Sequence, residues 1–306
     1  MVKIISCLLF FVLLLANPTR GVAVAVSTTS GDKADQLITN RRLRADSGSL
    51  SLWSVSSSFN YQGGSLAYPI DAKRPNIVNG ADALTLQNLT GDIGVKYRAH
   101  PLLSVTLSTG LFMTTPFHDS IHTDSLKLKE NFDENHQKIT INDPLMKLTY
   151  LNKFGFLQSV TNFKLTLITN NQQKLDGYLW SYYFSQNIMH QVGETRFSYG
   201  ANFSAQLYSF SRENDSLTDR VMGVYPAFEY EINETFNFRT AFGTFVYQHL
   251  RNAQSNTYIK RTVYQSLGLG ISISRDVFLY PNIQYIPSDV RGDRTNLALT
   301  ANINFF

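Results

Sequence analysis

Beyond its first 25 residues this 306-residue chain has no apolar run long enough to cross a membrane as a helix, and its one cysteine, Cys7, lies inside that opening segment. A spanning helix needs about 20 apolar residues, whereas Ile4 to Ala16 is shorter and follows Lys3. Ala23-Val24-Ala25 then supplies a small-x-small site, so the opening reads as an export signal cleaved after Ala25. The mature chain would contain no cysteine, which excludes disulfides even though an exported chain meets an oxidising compartment. Charge is also scarce: 16% of residues are charged, against about 25% in an average soluble domain. The net charge of +4 falls to +2 once Lys3 and Arg20 leave with the signal, which excludes the basic stripes of a nucleic-acid-binding domain.

What is present is aromatic residues, at 13%, with a mean hydropathy of -0.14. An aromatic-rich chain of near-neutral hydropathy must divide its oily and wet side chains finely. The division has a period of two. In the last segment Leu297, Leu299, Ala301, Ile303 and Phe305 alternate with Asn296, Ala298, Thr300, Asn302 and Asn304. Side chains of an extended strand point alternately to opposite faces, so such a segment presents one apolar and one polar side.

The same alternation recurs from Ser49 onward. Trp53, Val55, Phe59 and Tyr61 share a face, as do Leu89, Ile93, Val95 and Tyr97. Later segments repeat it with Leu103, Val105 and Leu107; Met146, Leu148 and Tyr150; Phe163, Leu165 and Leu167; and Tyr178, Trp180, Tyr182 and Phe184. Phe197 to Leu207, Met222 to Ile232, a ninth set using Phe236, Phe238, Phe242 and Val246, then Val263 to Ile273 and Val277 to Tyr285 complete the series. The pattern predicts twelve strands, with ten or fourteen as alternatives, joined by connections that are alternately short and long. Pro226 and Pro281 fall inside strands, where each removes a ladder donor and predicts a bulge.

An even number of amphipathic strands with alternating loop lengths resembles the bacterial outer-membrane β-barrels, and at the level of architecture the twelve-stranded channel-type barrels. The fold class expected is therefore all-β: a transmembrane antiparallel up-and-down β-barrel with both termini periplasmic. Residues 1–25 would be the signal peptide, 26–48 a polar N-terminal periplasmic segment, and 49–306 the barrel. In that family the terminal aromatic usually belongs to the apolar phase of the last strand; here Phe305 carries the phase and Phe306 stands one residue beyond it. The resemblance implies outer-membrane lipids and lipopolysaccharide as surroundings and the barrel assembly machinery as a partner.

Function is less legible, because one barrel architecture carries channels, phospholipases and lipid A deacylases. The phospholipase pattern His-x-Ser-Asn-Gly has no counterpart: His118-Asp119-Ser120 continues with Ile121-His122, and His190 with Gln191-Val192. His118, His122, Asp119, Asp124, Asp133, Glu134 and His136 crowd the longest connection, but at no standard metal-ligand spacing. Arg41-Arg42-Leu43-Arg44 contains an Arg-x-Leu-Arg string that resembles a host-targeting motif of oomycete effectors; those proteins are mostly helical and lack barrel patterning. The strand register places Lys96, Arg98, Lys147, Lys164, Arg196, Arg239 and Lys260 inward, against Asp92, Glu229 and Glu231. That positive excess leads to the expectation of a narrow, porin-like passive channel favouring small anionic solutes, without catalysis, metal or cofactor. The alternatives are a structural or adhesive barrel acting through its external loops, and an outer-membrane lipid hydrolase. The N-terminal segment is expected to trail as a mobile tail, or else to enter the lumen as a short helix.

Overall fold

The computed structural model describes residues 29–117, 139–211, 217–251, 253–254 and 256–305. Residues 1–28, which include the expected signal, and residues 118–138 of the long connection, with its cluster of His and acidic residues, lie outside the described residues.

Twelve strands form one closed antiparallel ring. They are β1 (Trp53–Ser65), β2 (Asn88–His100), β3 (Leu103–Thr114), β4 (Ile139–Phe154), β5 (Leu157–Leu167) and β6 (Tyr178–Gln191). There follow β7 (Phe197–Phe210), β8 (Thr218–Glu231), β9 (Phe236–Gly243, continued by Phe245–Leu250), β10 (Ile259–Lys260 and Tyr264–Ser272), β11 (Val277–Tyr285) and β12 (Asn296–Phe305). Each strand pairs with the next, and β12 closes the ring on β1 from Val55↔Phe305 to Ser65↔Asn296. Closure leaves no strand edge, so the ladder groups are satisfied within the sheet as hydrocarbon requires. Five connections are short and gather at one end; the six longer ones gather at the other. These are called the turn end and the loop end. At the loop end two short strands, Lys73–Pro75 and Leu84–Leu86, form a separate hairpin between β1 and β2.

The alternation has the consequence expected of it. Ile93, Val95, Leu107, Phe163, Phe184, Phe203, Phe228 and Phe238 stand exposed around the outside. Their neighbours in sequence, Asp92, Thr106, Ser185, Ser204 and Glu229 among them, face in. Leu107, near the middle of β3, lies between Val95 and Met146 on the outer face. Leu107→Arg should destabilise the bilayer-embedded barrel by about 2–4 kcal/mol, read as a lower urea midpoint for folding into lipid vesicles. An unchanged midpoint would mean that this face does not meet lipid.

Local departures from the expected register have identifiable causes. Opposite Pro226 the pairing of β8 with β9 jumps from Val224↔Phe245 to Ala227↔Ala241, and Thr244 is unpaired. This bulge sends Phe245 outward and buries Val246, correcting the expectation that Val246 faces out. Pro281 interrupts pairing with β10 between Gly268↔Asn282 and Ile271↔Leu279, but no extra residue is inserted. A second bulge, between Tyr178 and Trp180, moves Tyr178 from its expected outer face. Its ring lies 5.0 Å from that of the inward-facing Tyr208.

Candidate functional site

The N-terminal segment is folded into the turn end of the barrel as two helices, α1 (Thr29–Leu37) and α2 (Arg41–Ser47). It is therefore not a free tail; of the two expectations for it, the one that enters the lumen matches the structure. Asn40 starts α2 as its N-cap, its side-chain oxygen accepting from Leu43 N at 3.0 Å. Gly48 ends it at φ 75°, a conformation that side-chain-bearing residues rarely adopt. A Cβ at that position would also strike Lys96 Nζ.

Apolar packing seats the two helices. Ala34, Ile38 and Leu43 are buried against Leu151, Val160 and Met189, which point inward from β4, β5 and β6. Each fully buried Leu or Ile contributes about 1.5–3 kcal/mol relative to exposure. The Arg-x-Leu-Arg string is used up in this packing. Leu43 is in the cluster, Arg44 donates to Ile38 O and Asp35 O, and Arg42 bonds Asn187 Oδ1 at 3.1 Å.

Polar groups of the wall fasten the same segment. Lys96 Nζ donates to the carbonyls of Ser47 at 2.5 Å and Ser49 at 3.2 Å. Arg98 donates to Ser49 O through Nε at 3.0 Å and through Nη2 at 2.6 Å, and to Gly48 O at 3.2 Å. Both cations thus hold carbonyls at and just beyond the C-terminus of α2, where the helix dipole favours positive charge. Arg275, from the turn before β11, bonds Asp35 and Gly48 O. Gln158 Oε1 accepts from Thr39 N and Asn40 N. At the centre Glu229 accepts from Arg239 Nε at 3.0 Å and Asn40 Nδ2 at 2.7 Å, with Arg42 at 3.7 Å. Its side chain is 1% exposed, so these partners replace water almost entirely.

Beyond this plug lies a cavity of about 750 Å³ that runs up to Asn60, Tyr208 and Gln284. Its floor includes Arg42 and Asp46 of α2; its walls include Asp92, Lys147, Lys164, Arg239 and Arg261. Five cations therefore face two carboxylates. Tyr183, Tyr208, Tyr225, Tyr264 and Tyr280 line the side formed by β6 to β11, and serines and amides cover much of the remainder.

The ten residues assigned to the lumen from register divide into three groups. Asp92, Lys147, Lys164 and Arg239 line the cavity. Lys96, Arg98 and Glu229 face in, but they hold the plug. Glu231, two residues beyond Glu229 in the same ladder, also keeps the inner face, whereas Arg196 and Lys260 are corrections. Arg196 sits exposed in the turn between β6 and β7, donating to Ile232 O. Glu231 ends β8 at the turn end, away from the cavity lining. Lys260 is exposed, its Nζ 6.0 Å from the ring centre of the outward Phe245. Residues 261–263 belong to no strand, although Arg261 N bonds Val246 O, so the parity counted from Tyr264 does not carry across them to Lys260. Arg261 lines the cavity in its place and donates to Gln248 at 3.0 Å. Sequence parity had given no reason to choose it.

Candidates for chemistry find no support among the described residues. No group of His, Cys, Asp and Glu there could hold a metal ion. His190 is on the outer face, its ring between Phe156 at 4.4 Å and Tyr199 at 5.1 Å. His249, at the loop end, is buried between Asp219 Oδ1 at 2.7 Å and Gln254 O at 3.0 Å, an arrangement that ties down the β9–β10 connection.

A closed up-and-down barrel of twelve antiparallel strands, apolar outside and polar within, is a transmembrane β-barrel of the outer-membrane type. No protein-family model and no curated protein matches the sequence. Solved structures do resemble it. An outer-membrane channel from Pseudomonas putida F1 has a TM-score of 0.48 at 13% identity, covering 85% of this chain and 98% of that one. LpxR from Salmonella typhimurium has a TM-score of 0.40 at 9% identity, over 83% and 99% of the two chains. A mutant of the monoaromatic hydrocarbon channel TodX has a TM-score of 0.41 at 12% identity, over 84% and 81%.

Proposed function

We propose that this chain is an outer-membrane protein, its turn end periplasmic and its long loops outside, that forms a narrow passive channel for small anionic solutes. The observation that carries this reading is the cavity lining, in which Arg42, Lys147, Lys164, Arg239 and Arg261 outnumber Asp46 and Asp92 even with Glu229, the buried partner of Arg239 and Arg42, counted against them. Charges of one sign inside low-dielectric walls create a field that concentrates the opposite ion. Hydroxyl and amide side chains along the same walls can replace the water that a solute sheds. No cofactor is needed for such passage. In this reading the N-terminal segment is a plug that closes the periplasmic side at rest.

The filled turn end favours a second reading, a structural or adhesive barrel acting through its loops, with a lumen that never opens. Lipid hydrolysis is not adopted, since His190 has Val192 where a nucleophile on the same face would stand. Reversal potentials in a salt gradient, taken on the intact barrel and on a form lacking residues 26–48, distinguish the two. Anion preference that weakens in Lys164→Gln and Arg261→Gln is expected, and it should fade as salt screens the lumen. Cation preference, or silence in both forms, would refute the channel.

A further inference from the structure

We propose that the cavity wall formed by β2, β4 and β5 is a binding site for a small hydroxylated carboxylate, held by Lys147, Lys164 and Asp92. This rests on the channel reading above and names the solute that the lumen would hold. Lys147 and Lys164 are direct cross-strand partners, an arrangement in which like charges destabilise the sheet. Asp92 Oδ1 lies 3.5 Å from Lys164 Nζ. All three residues line the cavity, so two ammonium groups and one carboxylate face the same space.

Asp92 is 7% exposed, and its Oδ2 is buried without a hydrogen-bond partner. A buried carboxylate oxygen left unpaired is costly, so this atom calls for a donor from whatever fills the cavity. Thr106, the partner of Lys147 on β3, has its Oγ1 buried and unpartnered as well.

The two demands select the ligand. A simple anion would satisfy the lysines but would be repelled by Asp92. A cation would meet the reverse conflict, and a neutral polyol would leave the lysine pair uncompensated. The local balance of two positive groups and one negative matches a monoanion better than a zwitterion. A carboxylate placed between Lys147 and Lys164, with a hydroxyl donating to Asp92 Oδ2, satisfies every group.

The test is calorimetric titration of the intact barrel in detergent micelles with sodium gluconate, sodium acetate and sorbitol. Gluconate is expected to bind at least about tenfold more tightly than either of the others, since hydrogen bonds to charged groups are the stronger class. Lys164→Gln should weaken gluconate about tenfold. Asp92→Asn should remove the preference for gluconate over acetate, with heat-modifiable migration unchanged in both variants. Equal binding of gluconate and acetate by the parent, or no binding of gluconate, would overturn the assignment. Binding without conductance would leave the site standing and refute the channel; conductance without gluconate binding would do the opposite.

Discussion

Deletion of residues 26–48 should turn a barrel that passes little current into one that conducts steadily. Barrels of eight strands are filled by their own side chains, and those of sixteen leave an aqueous channel. At twelve strands the lumen has room for something besides side chains, and here α1 and α2 take that room at the turn end. Removing them would uncover Leu151, Val160 and Met189 and take from Lys96 its bond to Ser47 O and from Arg98 its bond to Gly48 O. The ring itself should survive, because every strand pairs with its two neighbours independently of the plug. In planar bilayers the steady conductance should rise on the order of tenfold or more over the intact protein. A milder variant, Asn40→Ala with Arg42→Ala, removes two of the bonds at Glu229 and should give intermittent openings. Silence of both variants would mean that the lumen is closed by its own walls.

Replacing Glu229 with alanine should release the plug without opening the sheet. The carboxylate is buried among Arg239, Arg42 and Asn40, so its loss leaves two guanidinium groups with only Asp46, 3.5 Å from Arg42, as a nearby counter-charge. Breaking a buried ion pair by removing one partner costs about 3–5 kcal/mol, which corresponds to roughly two to four decades in the population of seated plug. Trypsin should then cut at Lys33, Arg41 or Arg44 in Glu229→Ala while leaving the parent intact at those sites. Glu229→Gln can still accept from Asn40, and should be cut more slowly than the alanine variant. Equal cutting of the parent and both variants would show that the segment is not held there.

The sheet was legible because its signal repeats. A strand exposes one face to hydrocarbon and one to the lumen, so each segment repeats the two-residue period, and twelve repetitions outweigh the weakness of any single one. Where the period failed, a local event had intervened. Pro226 and the bulge at Thr244 reversed Val246, and the break in the strand at residues 261–263 exchanged Lys260 for Arg261. Arg196 was misassigned because alternation carries no information in a turn. The plug was harder to read. Its helices are short and polar, and the apolar residues Ala34, Leu37 and Leu43 within them, with Ile38 in the link, are too few to make a conspicuous stripe. A signal was nonetheless present on the wall. Leu151, Val160 and Met189 interrupt the polar inner face. Lys96, Arg98 and Glu229 also concentrate charge near the turn end, where an empty lumen would leave little reason to bury it.

The most direct measurement of the plugged-barrel account is a cross-link between α2 and β12. Asn302 Nδ2 donates to Asp46 Oδ1 at 2.5 Å, and Cys7, the one cysteine, precedes the expected cleavage site. Asp46→Cys with Asn302→Cys should form a disulfide nearly quantitatively under mild oxidation in outer-membrane vesicles, read as a reductant-sensitive shift in the migration of the denatured chain. The control pair Asp46→Cys with Leu299→Cys, whose second residue faces outward, should not form one. A bridge in the first pair and none in the second is expected of a seated plug. Absence of the bridge, or equal bridging of both pairs, would contradict a segment seated inside the lumen.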